Sequence, residues 1–122
     1  MQFNTTPLTK LTGSLCKIMG VNPPKHSEGV IDELVEYAMT MTEGRTVDRI
    51  LMYNPDAIGQ WSYEKYSNKF EPMREYAPFE INMLTVIPPK TPVCFGSMYT
   101  GASPEVHGIQ HYVKSLITID SI

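Results

Sequence analysis

Several features that would assign this chain to a particular class of protein are scarce or absent. It contains only two cysteines, Cys16 and Cys94, in unrelated contexts, which excludes a disulfide framework or a cysteine-based zinc cluster. We therefore expect two reduced thiols and a cytoplasmic protein. No apolar run approaches the roughly 20 residues that span a bilayer. The N-terminus also lacks the basic and apolar regions of a secretory signal, so we expect no membrane partner.

Clustered positive charge is also missing. The formal net charge is -3, and the lysines and arginines are scattered along the chain. Because binding to nucleic-acid phosphates needs concentrated positive charge, we expect no nucleic-acid partner. The 122 residues are enough for one domain with a modest core, which we take to span residues 1–122.

Three apolar runs have the composition of buried β-strands. They are residues 47–53 (VDRILMY), 79–87 (FEINMLTVI) and 115–119 (SLITI). The first is continuously apolar at its centre instead of alternating, which is typical of a central parallel strand covered on both faces.

Segments with helical periodicity surround these runs. They are an N-terminal helical segment within residues 1–26, a helix over 27–42 capped by Ser27, and an aromatic stretch over 59–76. The spacing in the last stretch fits one helix broken near Pro72 or two short helices. Alternation of helices and strands predicts an α/β domain, with a mainly parallel sheet and helices on both faces.

The run from residue 88 to 109, PPKTPVCFGSMYTGASPEVHGI, follows the second predicted strand. Two prolines should end the strand, and Thr91 is a suitable N-cap for a helix over residues 93–99 that ends at Gly101. A phosphate-like anion would be stabilised at this helix N-terminus. The alternative is that Thr91 is only a structural cap.

Asp56 directly follows the first predicted strand, within the sequence Asn54-Pro55-Asp56-Ala57. In open α/β sheets, ligands bind beyond the carboxyl ends of the strands. The alternative is a turn aspartate, because Asn-Pro-Asp strongly favours turns. From chemistry alone, His107 is a hydrogen-bonding structural histidine rather than a metal ligand.

The order of these residues resembles the alkaline phosphatase superfamily, in particular its nucleotide pyrophosphatase/phosphodiesterase branch. That branch has a threonine nucleophile followed by T-G-x-x-P-x-x-H-G-I, as seen here from Thr91 to Ile109. Asp56-Ala57 resembles the family's first metal-ligand motif. The resemblance covers about the second half of the chain and implies the N-terminal part of the alkaline phosphatase fold.

The resemblance also implies a chemistry. Two divalent metal ions, usually zinc, would hold a phosphate ester, with Asp56 and Thr91 as ligands of one metal and Thr91 as the nucleophile. Backbone N–H groups of Val93 and Cys94 would bind the phosphoryl oxygens. The branch places an asparagine where this chain has Tyr112, so Tyr112 would have to contact the substrate in its place.

The family's remaining metal ligands come from later strands and have no counterpart here. After Ile109 the sequence offers only His111 and Asp120, which match no such motif. A catalytic zinc normally has three protein ligands, so we expect a fragment or short relative with very low activity of its own. The alternative is a non-catalytic anion-binding or interaction domain. An incomplete sheet would leave an open edge and an apolar face, which predicts a homo-oligomer.

Overall fold

The computed structural model describes residues 6–114 and 116–122. Its elements are β1 (Thr6–Pro7), a 3-10 turn (Leu8–Lys10), α1 (Leu11–Met19), α2 (Asp32–Met41), α3 (Gln60–Lys65), α4 (Ser67–Tyr76), β2 (Met83–Leu84), α5 (Thr91–Thr100) and α6 (Pro104–His107). None of these helices is long and apolar enough to cross a bilayer.

The predicted mainly parallel sheet is wrong. Within the described ranges, the one sheet consists of β1 and β2, which run parallel with Thr6 opposite Met83 and Pro7 opposite Leu84. Residues 47–53 and 116–119 form no strand, and Ser115, the first residue of the third predicted strand, lies outside the described residues.

The reason lies in what a parallel strand needs from its surroundings. Its hydrogen bonds come from neighbouring strands, and its apolar side chains are buried by helices that cover the sheet. Here the side chains of Leu51 and Leu116 are 96% and 90% exposed. Strand-like composition alone therefore did not assemble a sheet.

Two of the predicted helices are present with altered limits. In the N-terminal segment, α1 ends at Gly20, whose φ of 70° lets its N–H reach the carbonyls of Cys16 and Lys17. The helix predicted from Ser27 begins only at Asp32, because Gly29 adopts a φ of 105°, which a right-handed helix cannot contain.

The aromatic stretch forms two short helices, α3 and α4, as one of the two alternatives predicted. The break falls at Tyr66, whereas Pro72 lies inside α4. The expected break at Pro72 is therefore wrong.

The interior is formed mainly by helices α1 and α5 and the 3-10 turn, which are joined by small buried side chains. Thr12 and Ser97 have no exposed surface, and the Thr12 hydroxyl donates a hydrogen bond to the Met98 carbonyl of α5. The Ser14 hydroxyl accepts the Ile31 N–H at 2.7 Å, which ties the entry of α2 to α1. Small side chains let the helices approach closely, and their hydroxyls satisfy buried backbone groups.

Gly13 shows how close this packing is. A Cβ atom at this position would lie 2.1 Å from the carbonyl oxygen of Gly29. The glycine, which is unfavourable in a helix interior, is explained here by the close approach of another backbone segment.

We predict that Gly13→Ala lowers the free energy of unfolding. Helix propensity alone would make alanine stabilising by about 1 kcal/mol, whereas overpacking against a fixed backbone carbonyl costs about 1–3 kcal/mol. Urea denaturation followed by circular dichroism measures the sign of the change. Gly59→Ala controls only for the added methyl group, because a Cβ at Gly59 meets nothing within 4 Å but the residue is the N-cap of α3 instead of a helix-interior position. A stabilised Gly13→Ala protein would contradict the packing described here.

Candidate functional site

The start of α5 differs from the prediction in one respect. Lys90 is the extended N-cap residue, and Thr91 is the first residue of the helix, followed by Pro92. The predicted N-cap role of Thr91 is therefore wrong, and its hydroxyl is left for another partner. The helix ends at Gly101, which has a φ of 70°, as expected.

The Thr91 hydroxyl contacts Asp56. Its Oγ1 donates to Oδ1 of Asp56 over 3.4 Å, although the two residues are 35 positions apart in the chain. The same Oδ1 accepts the Ala57 N–H at 2.9 Å, within a turn where Ala57 adopts a φ of 59°. The structure thus brings together the two residues that the sequence singled out as metal ligands.

A groove of about 610 Å³ lies beside this contact. Asp56 and Thr91 line it together with Asn54, Cys94 and Met98. A threonine hydroxyl and a carboxylate thus face an open space with mixed polar and apolar walls.

The two positions predicted to bind phosphoryl oxygens differ. The Cys94 N–H already donates to the Lys90 carbonyl at 2.9 Å. The Sγ atom of Cys94 lies 3.2 Å from Oγ1 of Thr85. The Val93 side chain is fully buried, but its N–H precedes the first intrahelical hydrogen bond and has no partner within the helix. Of the two backbone donors, only that of Val93 has no partner within the helix.

The segment after α6 returns to the start of α5. The Nδ1 atom of His111 lies 3.3 Å from Nζ of Lys90, the residue before Thr91. Tyr112 follows and is 74% exposed. Tyr112, which is predicted to contact the substrate, therefore directly follows His111, and His111 contacts Lys90, the N-cap of α5.

The separation of the Asp56 and Thr91 oxygens can be compared with that of two ligands on one zinc ion. Two oxygens that each lie about 2.0–2.2 Å from a tetrahedral zinc are about 3.3–3.6 Å apart, and the Asp56 and Thr91 oxygens are 3.4 Å apart. In the described part of the chain, however, no group of three or more His, Cys, Asp or Glu side chains could hold a metal ion. The pair fits two corners of a coordination shell whose third protein ligand is missing there.

His107 is a structural histidine, as predicted. It is 4% exposed; its Nε2 lies 3.0 Å from the Ser97 hydroxyl, and its Nδ1 accepts the Ile109 N–H at 3.0 Å. Burial lowers the pKa of His107, and the nearby Glu105 carboxylate partly opposes this shift. The ring connects the His-Gly-Ile run to α5.

Sequence reasoning missed two residues of this region. Lys90 had no signal except its position next to Thr91. Gly96 lies under the His107 ring, where a Cβ atom would be 2.7 Å from Cε1. A glycine in the middle of a predicted helix is the signal that could have identified this close approach.

Comparison with known protein families, curated proteins and solved structures finds no match for this chain.

We predict that Thr91→Val changes stability little. The long, partly exposed hydrogen bond to Asp56 contributes less than about 1 kcal/mol. Thr12→Val is the matched comparison, because it removes a buried hydroxyl from the Met98 carbonyl and should cost about 1–3 kcal/mol. Urea denaturation of both variants provides the measurement. Equal destabilisation by the two substitutions would mean that the Thr91–Asp56 contact is a structural one.

Proposed function

We propose that this chain carries the nucleophile region of a metal-dependent hydrolase of phosphate esters, of the phosphodiesterase or nucleotide pyrophosphatase type. Thr91 is the nucleophile, and Asp56 and Thr91 bind the same divalent metal ion. The single observation that carries the proposal is the 3.4 Å separation of the Asp56 and Thr91 oxygens beside a groove. It is supported by the order of Thr91, Thr100-Gly101 and His107-Gly108-Ile109 in the sequence.

Under this proposal the Thr91 hydroxyl loses its proton to water, its oxygen attacks phosphorus in line, and the bond from phosphorus to the leaving oxygen breaks as that oxygen takes a proton from water. A water molecule then attacks the phosphothreonine, which releases the phosphoryl group and returns a proton to the Thr91 oxygen. A bound divalent ion supplies the charge that makes a threonine hydroxyl nucleophilic at neutral pH. Asp56 accepts the hydrogen bond of the hydroxyl and orients it. The resemblance assigns the Val93 N–H to an oxygen of the phosphoryl group, but Val93 has no exposed surface here.

The chain by itself has very low activity under this proposal. Asp56 and Thr91 supply two ligands, and a catalytic zinc needs about three from protein. A complete site, with two zinc ions, needs side chains beyond those that the described residues bring together.

A second candidate function is a non-catalytic domain that binds a phosphate-like anion. The same incomplete ligand set favours it, and so does the start of α5, where the N–H groups of Thr91 and Val93 have no partner within the helix. The two candidates differ in metal binding, which the second does not require.

Zinc titration by calorimetry is the first test. We expect saturable but weak binding, which Asp56→Asn reduces at least about tenfold, because the substitution removes the charged member of a two-ligand set. Asp48→Asn is the matched control, since Asp48 is an exposed aspartate eight positions earlier. Unchanged zinc affinity in Asp56→Asn would contradict the metal role and favour the anion-binding domain.

Hydrolysis of p-nitrophenyl phosphomonoesters and phosphodiesters with added zinc completes this test. We expect turnover close to background for the chain alone. Robust turnover that Thr91→Ala abolishes would confirm the nucleophile but contradict the need for further ligands.

We also infer that the chain is a cytoplasmic homo-oligomer. The two cysteines are free thiols, which supports a reducing compartment. Large apolar side chains are exposed at Leu51, Ile87 and Leu116, and such surfaces promote association.

Light scattering at micromolar concentration tests the oligomer. We expect a mass of at least twice the 13.8 kDa of one chain. We further expect Leu51→Lys to shift the population towards monomer, because a charge at an apolar contact is costly to bury. Arg49→Lys, a charge-preserving change nearby, serves as control. A monodisperse monomer for the unmodified chain would refute the inference.

A further inference from the structure

The hydrogen bonds of His107 define its protonation state. Because Nδ1 accepts the Ile109 N–H, that nitrogen carries no proton. The ring proton is therefore on Nε2, which donates to the Ser97 hydroxyl at 3.0 Å. Both nitrogens are satisfied only when the imidazole is neutral. A second proton would place two donors, Nδ1–H and the Ile109 N–H, against each other.

The ring is closely packed and almost fully buried. The ring lies against Gly96 of α5, where even a Cβ atom would be 2.7 Å from Cε1, and the residue is 4% exposed. A protonated ring is therefore accommodated by leaving the pocket, which breaks the turn from residue 107 to 109.

The charges around His107 do not compensate for a proton. α5 presents the uncharged Ser97 and Gly96, and the charged group that acts on the ring is Glu105 of its own helix. Burial outweighs Glu105, so the pKa of His107 lies below its ordinary value of 6.5. A lowered histidine pKa means that the unfolded or released form binds the proton more readily. The stabilisation is thus full above about pH 6.5 and is lost as the pH falls below it.

The turn at His107 determines where the following segment lies. Two residues beyond Ile109, His111 meets Lys90, and Lys90 precedes Thr91. Release of the Ile109 N–H would free residues 108–112 from the start of α5. The interior around α1 and α2 does not depend on that hydrogen bond.

We propose that His107 is a positioning residue whose neutral ring holds residues 108–112 against the start of α5, and whose protonation releases that segment while the rest of the fold persists. Any effect of this release on a substrate bound at Thr91 rests on the proposed function. The conformational change itself does not.

An NMR titration of the full chain from pH 7.5 to 4.5 tests this proposal. We expect the Ile109 amide to lose at least about tenfold in hydrogen-exchange protection in the transition in which His107 titrates. The contact between Lys90 and His111 should disappear in the same transition. The Val35 amide, which donates to the Ile31 carbonyl at the start of α2, should keep its protection.

Variants separate His107 from the other histidines. His111→Gln removes the exposed imidazole that contacts Lys90, and the Ile109 transition should persist in this variant. Ser97→Ala removes the acceptor of the Nε2 proton without changing His107, so release should occur at higher pH. This variant keeps the test decisive even if a substitution of His107 itself prevents folding.

Three outcomes would overturn the proposal. They are an Ile109 protection that does not depend on pH, simultaneous loss of protection at Ile109 and Val35, and disappearance of the transition in His111→Gln. None of these readouts involves zinc or turnover. Failure of the hydrolase proposal and failure of this one are therefore distinguishable.

Discussion

The close approach of α1 and α5 is the constraint on which the rest of the structure depends. The helices meet through residues with little or no side chain, and hydroxyls such as that of Thr12 bond directly to the facing backbone. Gly101 continues the contact: its carbonyl accepts the Glu28 N–H at 2.8 Å, and a Cβ atom there would lie 2.5 Å from that of Ser27. Because the space is filled by backbone, the orientation of α5 cannot adjust by side-chain rearrangement.

The candidate site uses this rigidity at one end of α5. Thr91 begins the helix and is positioned by it, whereas Asp56 is presented by an exposed turn that contains a residue with positive φ. In the proposed site, a precisely positioned nucleophile would therefore lie next to a less constrained metal ligand. The same helix carries Gly96 and Ser97 five and six residues later, so the His107 contact and the Thr91 contact share one rigid element.

The sequence predicted a good part of the site and little of the architecture. Asp56 and Thr91 were paired on the order of motifs, and they do lie together. The sheet on which that pairing was argued is not present: residues 47–53 lead to Asp56 without forming a strand, and Leu51 and Tyr53 among them are exposed. Strand-like composition indicates how well an apolar run would pack if neighbouring strands and covering helices were present. It contains no information on whether those partners are there.

Local chemistry was determined by the sequence alone. Gly20 and Gly101 end their helices because only glycine adopts a positive φ without strain. The scattered charges and the paired prolines can be read directly from the sequence. The tertiary structure decided what depends on neighbours distant in the chain. It brought the Thr91 hydroxyl to Asp56, 35 positions away in the chain. It also buried His107 with an acceptor on one side and a donor on the other. The physical reason is that a hydrogen bond or a packed surface needs two partners. The sequence around one partner does not say which distant residue will be the other.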